Sequence, residues 1–252
     1  MGRTVTAALV IIGNEILSGR TRDANLPFLA GRLNDLGVRL AEVRVVTDDE
    51  GAIGEAVNAL RAAHDYVFTT GGIGPTHDDI TAASVAAAFG LPLVRNAEAV
   101  ARMESFYAGS GLELNEARLR MANTPEGATL IENPVSGAPG FQIGNVYVMA
   151  GVPSIMQGML DGLRHRLVGG KPMLSLTVRA YLPEGELAGG LGEIQGRFPD
   201  LDIGSYPFYV KGKYGASLVM RGVDRARLEL AAEELRAFIR GKGAEPVEED
   251  AV

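Results

Sequence analysis

Three times in its first ninety residues this chain repeats one pattern: a short β-favouring apolar run, a turn rich in glycine or aspartate, then a helical pattern. The runs are Val5 to Ile12, Val38 to Val46 and Tyr66 to Thr70. They lead into Gly13-Asn14-Glu15, Asp48-Asp49 and Gly71-Gly72. Leu26, Leu29, Leu33 and Leu36 recur at helical spacing with Gly37 as a stop; Ile53, Ala56, Val57 and Leu60 follow a cap at Asp48 or Asp49. Consecutive strand–helix units imply βαβ crossovers, hence a mostly parallel sheet flanked by helices. Ligands of such sheets bind outside the carboxyl ends of the strands, which is where all three turns fall.

The third turn, Thr69 to Thr81, is the most informative. Tyr66 to Phe68 reads as a buried strand and Ile80 to Phe89 as a helix stopped by Gly90 and Pro92. Three glycines between a strand and a helix start make an anion-binding loop, because unpaired first-turn amides and the helix dipole favour negative charge. The loop matches neither a dinucleotide-binding glycine motif, since His77 stands where the third glycine belongs, nor a P-loop. A plainer reading also fits: a tight turn with Thr76 as N-cap and Asp79 completing a capping-box-like pair. Asp78 and Asp79 would share a mouth with Glu15, Asp48 and Asp49, and carboxylates tolerate a phosphate there only with a bridging divalent cation, Mg²⁺ or Co²⁺. The alternative is that the aspartates are caps and Glu15 is solvated. His77 suits acid–base work or an exposed first turn equally.

Beyond Pro92 the pattern gives helices at Ala97 to Tyr107 and Asn115 to Met121, a loop at Asn133 to Gly140, and a hairpin turning at Gly144-Asn145. Gly151-Val152-Pro153-Ser154 then opens a helix through Leu167. Val168 to Pro172 reads as a linker, dividing a domain 1–170 from an appendage 171–252 of β-α-β-β-α order, with a sheet of three strands and an acidic end fraying from Glu245. With no cysteine, disulfides, zinc-thiolate sites and thiol nucleophiles are excluded. A net charge of −7 argues against nucleic acid as a partner. The start is too quickly interrupted for a membrane span or signal peptide, so a cytoplasmic protein is expected.

The motifs Gly13-Asn14-Glu15-Ile16-Leu17-Ser18-Gly19, Asp49, Thr70 to Thr81, Asn133 to Gly140 and Gly151 to Ser154 together resemble the molybdopterin-binding domain family, and within it the competence/damage-inducible (CinA) type. The resemblance covers residues 4 to 168. It implies a small phosphorylated ligand, molybdopterin or an adenine nucleotide diphosphate, and one of three roles: a metal-dependent pyrophosphatase on ADP-ribose or FAD, a molybdopterin adenylyltransferase, or a non-catalytic sensor. By position it implies Asp49 and Asp79 as the catalytic acidic pair, and the mechanism that goes with it has Asp79, with Asp78 or Asp49, hold the metal ion. The phosphate cradle would be Gly13, Asn14, Glu15, Thr70, Gly71, Gly72, Gly74, Pro75, Thr76 and Thr81. Ser136, Gly137, Gly151, Pro153 and Ser154 would form the rim. It also implies a homo-oligomer. Residues 171–252 are too few for the nicotinamide-nucleotide amidohydrolase domain of such proteins, and they resemble their middle domain instead. Val152 stands where relatives often carry proline.

Overall fold

Strand β1 (Val5–Ile12) is sealed on both faces, and that places it inside the sheet. Ala7, Leu9 and Ile11 pack on one side with α2 (Asn25–Asp35), which follows the single-turn α1 (Asn14–Leu17), and with α7 (Pro153–Leu163). Ala8, Val10 and Ile12 pack on the other with α3 (Glu50–Ala63) and α4 (Thr81–Phe89). The continuous apolar run is thus the mark of a strand covered by helices on both faces. The computed structural model describes residues 3–109, 111–210 and 212–248. The chain divides into two compact units, one ending at Gly170 and the other starting at Lys171.

In the first unit β2 (Val38–Val46), β3 (Tyr66–Thr70), β6 (Thr129–Ile131), β7 (Gly140–Ile143) and β8 (Val146–Met149) join β1 in the order β2-β1-β3-β8-β7-β6. The pairings from β2 to β8 are parallel, and β8-β7 and β7-β6 are antiparallel. From β1 the chain crosses to β2 on one side, then returns to β3 on the other. The β1/β3 boundary is therefore a topological switch point, where the diverging connections leave a crevice. Between α4 and β6, β4 (Leu93–Arg95) pairs with β5 (Asn123–Pro125). The segment between them holds α5 (Ala97–Ala108) and α6 (Glu116–Leu119), packed around Ala99, Met103 and Ala122.

The second unit is β9 (Leu174–Ala180), α8 (Glu184–Arg197), β10 (Asp202–Val210), β11 (Lys213–Gly222), α9 (Arg225–Gly241) and β12 (Val247–Glu248). Its sheet is antiparallel throughout, in the order β10-β11-β9-β12, the split βαβ of ferredoxin-like folds, and it has its own core. The expectation of three strands and an end fraying from Glu245 is corrected: Val247 and Glu248 pair with Arg179 and Val178. Arg236 on α9 holds the Glu248 carboxylate through two bonds, 2.7 and 3.2 Å. A two-residue strand has no periodicity to read, and the ion pair that fixes it comes from another element.

Candidate active site at the switch point

Two turns meet at the carboxyl ends of β1 and β3. At the first, the Gly13 amide donates to the Val46 carbonyl at 3.2 Å, and the Asn14 amide donates to Asp48 Oδ2 at 2.9 Å. A side chain at Gly13 would collide with the Glu15 carboxylate, so glycine lets Glu15 fold back over its own turn. Asp49 turns the other way: it is the N-cap of α3, with Oδ1 accepting from the Ala52 amide at 2.9 Å.

At the second turn the backbones nearly touch. A Cβ on Gly71 (φ 104°) would lie 2.1 Å from the Ile12 carbonyl oxygen, and one on Gly151 would lie 3.2 Å from Gly71 Cα. Glycine is what allows the three segments to converge. Thr81, fully buried, fastens the loop to α4: its hydroxyl donates to the Gly71 carbonyl and its amide to the Gly72 carbonyl, both at 2.9 Å. With those carbonyls turned inward, the amides of Gly72, Ile73 and Gly74 have no partner among the described residues. Successive free amides of this kind form an anion-binding concavity.

The helix begins at Thr81, so Thr76 is not its N-cap; Ile80 is. Residues 76–79 instead close a separate turn. Asp79 Oδ2 accepts from the Thr76 amide at 2.8 Å and hydroxyl at 2.5 Å, and the Asp79 amide donates to the Thr76 carbonyl at 3.3 Å. Asp79 Oδ1 keeps no partner among the described residues. The Thr76 hydroxyl, its own backbone amide and nearby His77 hold the Asp78 carboxyl below its ordinary value. That setting favours the carboxylate form of Asp78.

Opposite the loop, buried Asn25 donates to the Gly151 carbonyl at 2.7 Å and holds that turn against Gly71. Asn133, also buried, accepts from the Val135 and Ser136 amides and donates to the Ser136 hydroxyl and the Ala138 carbonyl, shaping the 133–138 loop. Gly137 (φ 77°) lies against the Phe106 ring.

These turns enclose a cleft of about 390 Å³, within the range of ligand pockets. Of the residues expected from sequence, Gly13, Glu15, Gly71, Gly72, Gly74, Pro75, Asp78, Asp79, Ser136 and Gly151 line it, and Asp48 joins them. Asn14, Asp49, Thr70, Thr76, Thr81, Gly137, Pro153 and Ser154 do not; they cap, fasten or start elements around it. Ile73, Met121, Asn133, Ile155 and Met159 line it without having been expected as ligand contacts. The Met and Ile carry no chemical signature, whereas Asn133-Pro134 marks a structured turn in sequence.

Among the described residues, four carboxylates and no basic side chain line the cleft. Two unit charges ~6 Å apart repel by about 3 kcal/mol at an effective dielectric of ~20, so a bare diphosphate would be rejected. Among the described residues no group of three or more Asp, Glu or His converges as a metal cage. Asp78 and Asp79 both line the cleft, and one or two carboxylates are the number that Mg²⁺ commonly takes from a protein when the protein shares the ion with ligand phosphates. No helix among the described residues is long and apolar enough to cross a membrane.

Residues 8–168 match the family model described as a probable molybdopterin binding domain, and residues 172–248 that of the FAD synthase middle domain. A CinA-like protein of Geobacter metallireducens is 36% identical over 92% of this chain and 58% of its own length. A probable FAD synthase of Caenorhabditis elegans is 32% identical over 96% of this chain and 51% of its own. The chain thus spans a little over half the length of these two relatives. The crystal structure of CinA from Thermoplasma acidophilum, a protein of unknown function, superposes with a TM-score of 0.59 at 34% identity, covering 64% of this chain and 96% of that one. From the switch-point cleft, the glycine loop and these likenesses together, the chain belongs to the molybdopterin-binding domain family and is of the CinA-like type.

Proposed function

We propose that the cleft binds an adenine nucleotide diphosphate and hydrolyses its pyrophosphate bond with a divalent cation, FAD and ADP-ribose being the candidate substrates. The observation that carries this reading is the set of three amides without a partner among the described residues, Gly72 to Gly74, on a loop that lines a cleft with four carboxylates and no basic side chain among those residues. The amides offer hydrogen bonds to phosphate oxygens. Bound together with the diphosphate by Asp78 and Asp79, the cation would neutralise charge on the non-bridging oxygens.

Thr76 fixes Asp79 through one carboxylate oxygen and leaves Oδ1 without a partner among the described residues. Asp48 orders the Gly13–Glu15 turn, and Asp49, by capping α3, positions Asp48. Met121, Ile155 and Met159 offer an apolar wall to a ring system. In hydrolysis a water oxygen bonds to one phosphorus while the bridging P–O bond breaks. Two phosphomonoesters form, each taking one hydrogen of the water. No side-chain nucleophile is needed, since positioning and electrostatic stabilisation carry such transfers. The FAD synthase likeness of the relative and of residues 172–248 makes FAD the first substrate to test.

The test is chromatographic detection of AMP after incubation with FAD or ADP-ribose, with Mg²⁺ or Co²⁺ or with chelator. AMP formed only with metal, and lost in Asp79→Asn, supports the hydrolase. Absence of AMP under every condition overturns it and moves attention to a phosphorylated pterin, the ligand that the family's description names.

A further inference from the structure

The acidic cleft has a basic annex. A smaller cavity of about 110 Å³ adjoins it, bordered by Gly72, Ile73, Gly74, Asp79 and Met121 in common with the cleft. Arg120, Asn123 and the apolar Leu93 and Phe141 also line it. Arg120 is the one basic side chain lining either cavity among the described residues. Its neighbours are engaged: Arg118 stacks on Tyr107, Arg95 pairs with Glu116, and Arg102 pairs with Glu98. The Arg120 side chain has no hydrogen bond, ion pair or ring contact among the described residues, although Asp79 borders the same cavity.

Size decides what the annex can hold. Its volume suits a few water-sized groups and falls well below the ~300 Å³ at which pockets take whole ring systems. A phosphoryl group fits both the space and the guanidinium, whose forked donors match phosphate oxygens. An extended acidic partner surface is disfavoured by the cleft's four carboxylates.

We propose that Arg120 binds the second phosphate of the ligand, so that a diphosphate lies at the border of residues 72–74 that the two cavities share, with one phosphate on the free amides and the other in the annex. This rests on the nucleotide-diphosphate reading above and sharpens it: the ligand class is one with two linked phosphates, and monophosphates fill half the site. On P–O cleavage the phosphate in the annex gains negative charge, and Arg120, already charged, holds it without any proton transfer.

The test is calorimetric titration of the full chain, in Mg²⁺, with methylenediphosphonate, a diphosphate that cannot be hydrolysed. Arg120→Ala should weaken binding about 10- to 100-fold, as for loss of a charged hydrogen-bond partner. Arg120→Lys should recover part of that loss, and Arg221→Ala, in the other unit, should change nothing. In parallel, Arg120→Ala should raise KM for FAD more than it lowers kcat. Unchanged diphosphate affinity in Arg120→Ala, or no binding by the wild type, overturns the subsite. If FAD is hydrolysed with an unaltered KM in that variant, the hydrolase stands without the subsite. If nothing is hydrolysed yet diphosphate binding still depends on Arg120, the subsite stands and the hydrolase reading fails.

Discussion

Replacing Gly71 by alanine tests whether the site depends on backbone convergence. The new methyl group would lie 2.1 Å from the Ile12 carbonyl oxygen, where real Cβ contacts essentially never come under 3.0 Å, so a backbone segment must retreat by almost 1 Å. The positive φ of 104° adds the usual cost of a side chain in that region, ~1–2 kcal/mol. Forcing packed segments apart adds a further ~1–3 kcal/mol, the upper end applying because the obstacle is backbone. The sum, about 4–5 kcal/mol, should lower the Tm of the first unit by roughly 8–20 °C at ~2–4 °C per kcal/mol. Gly90, which ends α4 at φ 65° with open space around its Cα, is the matched control. Gly90→Ala should cost only the conformational ~1–2 kcal/mol. Scanning calorimetry compares the two directly. Equal Tm losses would refute the argument that β1, β3 and the Gly151 turn are in backbone contact.

Asp49→Ala should cost ~1 kcal/mol of stability, the value of a lost N-cap, while Asp48→Ala should weaken ligand binding more than it lowers Tm; melting curves and titrations on both variants separate the roles. Asp78 has a depressed folded-state pKa, so its contribution is present above the unfolded value of 3.8 and is lost only as pH falls through the still lower folded value. Carboxylate NMR should accordingly show Asp78 ionised at pH 5, and diphosphate binding should not decline through Asp78 between pH 7 and 5. Arg236→Ala should release β12, seen as faster amide exchange at Val247 and Glu248, with a global cost of no more than ~1 kcal/mol because Glu248 is more than half exposed.

The strand–helix alternation was legible because the buried strands read as continuous apolar runs: β1, β2 and β3 start and end where those runs do. Strand order was not legible. That β3 lies beside β1 rather than β2 follows from packing between distant segments, and this order makes the crevice. The glycine loop was visible through its composition, but the split between a Thr76–Asp79 turn and a helix start at Thr81 depends on which carbonyls Thr81 holds. Asp48 and Asp49 are neighbours in sequence with opposite directions in space, because capping α3 turns one away from the cleft. Arg120 is one exposed arginine in an arginine-bearing stretch, and only the β4–β5 pairing brings that segment beside the 72–74 loop.

The central claim is that cation and diphosphate enter together, since carboxylates line the cleft without forming a cage. Electron paramagnetic resonance of Mn²⁺ added to the protein, with and without the methylene analogue of ADP, tests it most directly. Weak Mn²⁺ binding alone that tightens by at least ~10-fold with the analogue, and is lost in Asp79→Asn, is the expected result. Mn²⁺ bound equally well without the analogue, or analogue bound equally well in chelator, would contradict it.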